Sequence, residues 1–309
     1  MSYVFCQTVK MDQLEAIKVE HPLFSATLLL QGAQLIEFTP NSRPKGDKHQ
    51  KNLLWLSDSV EYKQGKPLRG GIPICWPWFG NLDKNPKVIQ DQAKPEARSS
   101  AHGFVRSKPW QIHSIIESCE YIEIILELSE TPESKKIWPY EFNLKARFVF
   151  SKTLMVELIT TNTGIESFAI SQALHTYLPT SDITKTYIHN AHSSLYIDAL
   201  DNWKEKKQVG RIGFNEETDR LYFFTESDKE NSEYQLRVES PGLQLTLNNF
   251  NSQSAVIWNP WIDKSKRLSQ FSPADFNKMY CIETANVMSD HKIVEPKQQQ
   301  RLSFELSEL

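Results

Sequence analysis

Apolar and polar residues alternate along most of this chain, with the period of two that a half-buried strand requires. In YIEIILELS (121–129), Ile122, Ile124, Leu126 and Leu128 fall on one face, with Glu123 and Glu127 on the other. In EFNLKARFVF (141–150), Phe142, Leu144, Ala146, Phe148 and Phe150 share a face, and Asn143, Lys145 and Arg147 point away. EYQLRVES (233–240) sets Tyr234, Leu236 and Val238 against Gln235, Arg237 and Glu239. After Pro241-Gly242 the pattern resumes with Leu243, Leu245 and Leu247, which predicts a hairpin. Further strands are expected at ATLLLQG (26–32), AQLIEF (33–38), NLLWLS (52–57), TLMVELITT (153–161), LYFFTE (221–226), AVIWN (255–259), YCIETA (280–285) and RLSFEL (301–306).

Helical periods are few. TPESKKIW (131–138) and SPADFNKM (272–279) begin with cap-like Thr and Ser, and each predicts a turn or two of helix. Many short strands separated by Pro, Gly, Asn and Ser imply an all-β fold, a large antiparallel sandwich with few short helices. No internal repeat and no dividing linker is evident, so residues 1–309 are expected to form a single domain. The polar stretches 39–52 and 81–100 read as long surface loops, the second as a rim around a pocket.

Composition narrows the function. The 309 residues hold 35 basic and 38 acidic side chains, a net charge of −3, which speaks against broad nucleic-acid binding. Cys6, Cys75, Cys119 and Cys281 lack CxxC spacing, so neither a zinc site nor a redox pair is readable. His189 and His192 are three apart, with no recognisable third ligand, so no metal is expected. The N-terminus has no basic start followed by a long apolar run, and no apolar stretch approaches the roughly 20 residues of a membrane span. A cytoplasmic monomer with free thiols is therefore expected, with no membrane partner and no cofactor.

Four segments place capable side chains where strands meet loops. LRGGIPICWPWFG (68–80) sets Arg69 beside Gly70-Gly71 and a rigid aromatic run; a guanidinium there could grip an anion or simply sit in a surface ion pair. In SSAHGFVR (99–106), His102 and Arg106 are an even number apart and would share a face of an extended segment. AISQALHTYLP (169–179) puts His175 near a strand end, as an acid or base or as a core residue. MYCIETAN (279–286) embeds Glu283 in an apolar strand, where a carboxylate is paired or at work.

Taken in order, LRGGIPICWPWFG, AHGFVR, SQALHTYL, ETDRLYF, AVIWNPWIDKSK and YCIETANV resemble the aldose 1-epimerase (mutarotase) superfamily, in its hexose-6-phosphate mutarotase branch. The resemblance implies a galactose-mutarotase-like β-supersandwich and interconversion of the α and β anomers of a hexose 6-phosphate such as glucose 6-phosphate. It implies a catalytic pair, His175 and Glu283, and substrate contacts from Arg69, Arg106 and Asp219, with His102 beside them. Relatives often carry Gln immediately before the HGF histidine; this chain has Ala101, so that contact would be absent, bridged by a water or supplied by His102. Glu283 would act as base on the C1 hydroxyl and His175 as acid on the ring oxygen. One or both of Arg69 and Arg106 would hold the phosphate, with Lys264 or Lys266 as helpers. Trp76, Trp78, Trp258 and Trp261 would either face the sugar or fill the core. A non-catalytic sugar-phosphate-binding or regulatory protein on the same fold is the competing class; a glycoside hydrolase is a third, without a clear carboxylate pair.

Overall fold

The computed structural model describes residues 5–41, 51–224 and 233–309. Nine residues of the 39–52 stretch, and the last two of LYFFTE, therefore lie outside the described residues. Among the described residues every pair of full strands runs antiparallel, and the isolated bridge Trp76–Gly103 is parallel.

A nine-stranded sheet contains the segments with the clearest alternation, including Ile122–Ser129, Phe142–Phe150, Glu233–Ser240 and Leu243–Phe250. Its inward residues are the expected ones: Phe142, Leu144, Ala146, Phe148 and Phe150 are fully buried, and Ser240 pairs with Leu243 across the Pro241-Gly242 turn. A seven-stranded sheet lies against it, in the order Lys204–Lys207, Leu195–Asp198, Thr218–Phe223, Ser254–Asn259, Met279–Asn286, Gln172–Pro179, Ile74–Cys75. A four-stranded sheet built from Cys6–Met11, Leu14–His21, Phe24–Leu29 and Leu35–Pro40 shares the same core.

The seven-stranded sheet has two different faces, and the period of two assigns each residue to one of them. Leu174, Leu178, Ile257, Tyr280 and Ile282 point into the main core between the sheets. The alternate residues Ala173, Tyr177, Val256, Trp258, Cys281 and Ala285 form smaller apolar patches on the opposite face. His175 and Glu283 have the parity of this second set. Slipping either strand by one residue would drive its ionisable side chain into the core, so packing fixes which way the site faces.

Three expectations change. NLLWLS is not a regular strand: Leu56 makes an isolated bridge to Gly70, and Trp55 N–H donates to the Tyr177 carbonyl. This segment wedges between two sheets rather than extending one. The 81–100 stretch is not irregular throughout, since it holds short helices at Leu82–Lys84, Lys87–Gln92 and Pro95–Ser99 that bury Leu82, Ile89 and Ala97. SPADFNKM supplies only the 3₁₀ turn Asp275–Asn277, whereas Pro132–Lys135 is helical with a Thr131–Ser134 capping box, as TPESKKIW suggests. A further helix, Trp261–Ser265, follows Pro260. No helix among the described residues is long and apolar enough to cross a membrane.

Candidate active site

Glu283 and His175 are direct partners on neighbouring antiparallel strands. Glu283 Oε1 lies 3.4 Å from His175 Nε2, and the two residues are 1% and 8% exposed. Glu283 Oε2 and His175 Nδ1 are buried without a hydrogen-bond partner among the described residues. A buried polar atom left unpaired costs about 1–3 kcal/mol, so the fold carries a strain here that packing alone would not select.

The two groups are pushed in opposite directions. Burial holds the Glu283 carboxyl well above the usual carboxylate range, helped by the Asp219 charge and opposed by Arg106. Burial holds the His175 imidazole well below its ordinary value, with His102, Arg106 and Arg69 as further disfavouring neighbours. Burial thus favours the neutral form of both groups, the protonated carboxyl and the unprotonated imidazole.

His102 reaches the same cavity from a turn. Its φ is 60° and that of Gly103 is 69°. A Cβ on Gly103 would stand 1.7 Å from the Trp76 carbonyl oxygen, so only glycine lets this turn close on the aromatic segment. The Gly80 N–H donates to His102 Nδ1 at 3.2 Å, and the Cys75 sulfur is 3.3 Å from the same nitrogen. A backbone N–H can only donate, so Nδ1 is unprotonated and the neutral ring carries its proton on Nε2. Burial, with Arg106 and Arg69 nearby, lowers the pKa of this ring to about 3. His102 is thus a neutral donor to an oxygen.

Arg69 is not in a surface ion pair. Its Nη1 donates to the Tyr177 hydroxyl at 3.3 Å, and the Tyr177 ring stacks on His175 with centroids 4.8 Å apart. Gly71 allows this arm to pass: a Cβ there would lie 2.2 Å from the Leu35 carbonyl oxygen. Arg106 Nη2 donates to the Ala101 carbonyl at 2.9 Å. Arg69, Arg106, His102, His175 and Tyr177 line one cavity of about 560 Å³. A second, of about 350 Å³, is lined by His175, Glu283, Asp219, Trp258, Lys264 and Trp203, among others. Arg69, His102 and His175 line both. Asp219 lies two strands from Glu283 across Ser254–Asn259, and burial raises its carboxyl pKa although Lys264 Nζ is 3.7 Å away.

The aldose 1-epimerase family model matches residues 15–307. The chain belongs to that family. A protein of Escherichia coli (strain K12) named "Putative glucose-6-phosphate 1-epimerase" is 32% identical over 93% of this chain and 88% of its own length. A protein of the same name from Salmonella typhimurium is 30% identical, again over 93% and 88%. Among solved structures, a "putative mutarotase" from Salmonella typhimurium superposes with a TM-score of 0.83 at 26% identity, over 98% of this chain and 93% of the other. A galactose mutarotase-like protein from Clostridium acetobutylicum shares the fold alone: TM-score 0.74, 13% identity, 98% of each chain. This aldose 1-epimerase family member is a carbohydrate epimerase, an isomerase of the mutarotase kind, on a galactose mutarotase-like β fold.

All six residues expected at the site of this epimerase line one or both cavities. His102 and Arg106 do not share a face of an extended segment; the left-handed turn at 102–103 and the 3₁₀ turn Val105–Ser107 bring them together instead. Of the two lysines, Lys264 lines the smaller cavity, while Lys266 is exposed and pairs with Asp263. Trp76 and Trp78 are fully buried in the main core, and Trp261 packs on Phe276; of the four tryptophans named, Trp258 alone lines a cavity. His189 faces Glu239, and His192 accepts from the Gly210 N–H. Tyr177 and Trp203 were missed. Tyr177 is legible in hindsight, two residues beyond His175 and hence on its face; Trp203 has no such signal.

Proposed function

We propose that this enzyme interconverts the α and β anomers of a hexose 6-phosphate, glucose 6-phosphate first. One observation carries this: His175 lines both cavities, Glu283 only the smaller and Arg106 only the larger. In a pyranose the ring oxygen lies between C1 and C5, and C5 carries C6. An acid at the ring oxygen thus has the anomeric hydroxyl on one side and a 6-phosphate on the other. Base, acid and Arg106 stand in that sequence, with Arg69 lining both cavities. The names of the two enterobacterial relatives support the same substrate.

In the reacting form Glu283 is ionised and His175 protonated, the carboxyl having passed its proton to the imidazole whose nearest nitrogen is 3.4 Å away. Glu283 takes the proton of the C1 hydroxyl, the C1–ring-oxygen bond breaks as the carbonyl forms, and the ring oxygen takes the proton of His175. Rotation about C1–C2 presents the other carbonyl face. The ring oxygen then attacks C1 and returns its proton to His175, while Glu283 returns its own to O1. Atoms and charge balance within the pair, so no cofactor enters the scheme. His102 donates to a substrate oxygen, Arg69 and Arg106 hold the phosphate, and Asp219 accepts from ring hydroxyls. The proposal also takes the chain as a single-domain cytoplasmic monomer.

The test is anomer exchange of glucose 6-phosphate, followed with an enzyme that consumes only the β anomer. Acceleration above the spontaneous rate, weaker on glucose and galactose and lost in Glu283→Gln, is expected. No acceleration would leave a sugar-phosphate binder; equal acceleration of unphosphorylated sugars would remove the phosphate from the proposal.

A further inference from the structure

Seven of the eight tryptophans lie in apolar surroundings or are largely covered, whereas Trp203 is 37% exposed. Among the described residues it makes no ring contact with another aromatic side chain, and its indole N–H has no hydrogen-bond partner. It lines the cavity that holds His175 and Glu283. Its backbone is the more telling observation. Lys204 N–H donates to the Asp201 carbonyl, closing a turn whose central residues, Asn202 and Trp203, have φ of 52° and 58°. Two successive left-handed residues mark a type I′ turn, here the last part of the five-residue loop between Leu195–Asp198 and Lys204–Lys207, and the second of them is a position suited to Gly. Asparagine is present at the first position; a tryptophan occupies the slot suited to glycine. A bulky side chain in that region is a steric outlier, and no core packing offsets it.

The turn is held in place. Lys204 pairs with Asp201, and Lys206 pairs with both Asp201 and Asp198. Ala199 N–H donates to the carbonyl of Asp219, which ties the base of the turn to a residue of the site. The hairpin forms the edge of the seven-stranded sheet, on the far side of Asp219 from Glu283. Polar site groups rise from the strands of the sheet, and Trp203 reaches the cavity from its edge.

We infer that Trp203 is a substrate-binding residue, an aromatic wall that packs against the C–H face of the pyranose and offers its indole N–H to a ring hydroxyl. This rests on the proposed sugar-phosphate reaction and adds a contact to it. The hydroxyls of a pyranose point largely outward from the ring edge, leaving a patch of C–H bonds that an aromatic face can cover.

Three variants test it. Trp203→Gly gives the turn its favoured residue, so its Tm is expected to match or exceed that of the parent enzyme. Its KM for glucose 6-phosphate should rise roughly 2–12-fold, the scale of one aromatic contact, with the loss falling on KM rather than kcat. Trp203→Ala should show the same KM, and Trp203→Phe should recover most of the affinity. Independently of turnover, glucose 6-phosphate should change the tryptophan fluorescence of the parent enzyme more than that of Trp203→Phe. Unchanged KM in Trp203→Gly, with equal fluorescence changes in parent and Phe variant, would overturn the inference. So would a fall in Tm with KM and kcat impaired together, which would mark a structural role. If the parent enzyme binds glucose 6-phosphate but exchanges no anomer, the proposed function fails while the fluorescence comparison still decides the role of Trp203.

Discussion

His175 and Glu283 face each other across one antiparallel pair with a nitrogen and an oxygen 3.4 Å apart, and each keeps its other polar atom unpaired. A structural ion pair would satisfy those atoms; an acid and base awaiting a substrate would leave them free. Glu283→Gln and His175→Asn each remove one proton-transfer group while keeping a similar shape. Each is expected to lower kcat by about 10²–10⁴-fold, the usual contribution of a positioned acid or base, with a much smaller change in KM. Polarimetric exchange of glucose 6-phosphate measures both. Unchanged kcat in the pair of variants would end the assignment.

Burial also makes Glu283 a stability liability with a definite pH sign. Its folded pKa is raised well above 4.5, so the folded state binds more protons than the unfolded state between those two values. Its contribution is present below the unfolded pKa and is lost as pH rises through the folded one. The parent enzyme should therefore lose stability relative to Glu283→Gln as pH climbs from about 4.5. His175, lowered below 6.5, acts oppositely: its contribution is present above that value and is lost as pH falls toward the folded pKa. Tm against pH for parent, Glu283→Gln and His175→Asn separates the two. A Tm difference between parent and Glu283→Gln that does not widen with pH would refute the linkage.

Much of this architecture is written in alternation, because a period of two assigns residues to faces without knowledge of neighbours. The buried row Phe142 to Phe150 and the Pro241-Gly242 hairpin are read directly. Alternation also gives His175 and Glu283 their common face once the strands are paired, but not the pairing itself, which depends on contacts over a hundred residues apart. Segments whose hydrogen bonds go to loops were misread: Trp55 looks like strand and is a wedge, and the 81–100 stretch looks like loop and hides three buried anchors. Arg69 beside Gly70-Gly71 reads locally as a possible anion grip, and only the family resemblance joins it to Arg106, since nothing local shows a guanidinium reaching Tyr177 or the Ala101 carbonyl. Trp203 was illegible because its meaning lies in a backbone angle.

Gly103 offers a test of how the aromatic segment positions His102. A methyl group there meets the Trp76 carbonyl oxygen, at 1.7 Å, on a backbone with φ of 69°. Left-handed strain alone costs roughly 1–2 kcal/mol, and relief of the clash requires the turn to move off the Trp76 segment. Gly103→Ala is therefore expected to lower Tm by several degrees and to displace His102 from its bonds to Gly80 and Cys75. Activity should fall even at temperatures where the variant is folded. Parent-like Tm and activity would show that the turn yields without cost.

Arg69 and Arg106 should separate phosphorylated from plain sugars. Both line the larger cavity beside His175, where the 6-phosphate of a correctly oriented hexose would lie. A charge-assisted hydrogen bond contributes about 1.5–3 kcal/mol, which corresponds to roughly 10–150-fold in affinity. Arg69→Gln and Arg106→Gln are each expected to raise KM for glucose 6-phosphate by that order and to leave the weak exchange of glucose nearly unchanged. Because both would bind one phosphate, the double variant should lose less than the sum of the single effects. Arg69→Lys should not restore full affinity, since a point charge replaces a planar fork that also donates to Tyr177. Coupled assays on both sugars decide this: equal losses on glucose and glucose 6-phosphate would mean that the arginines shape the cavity rather than grip an anion.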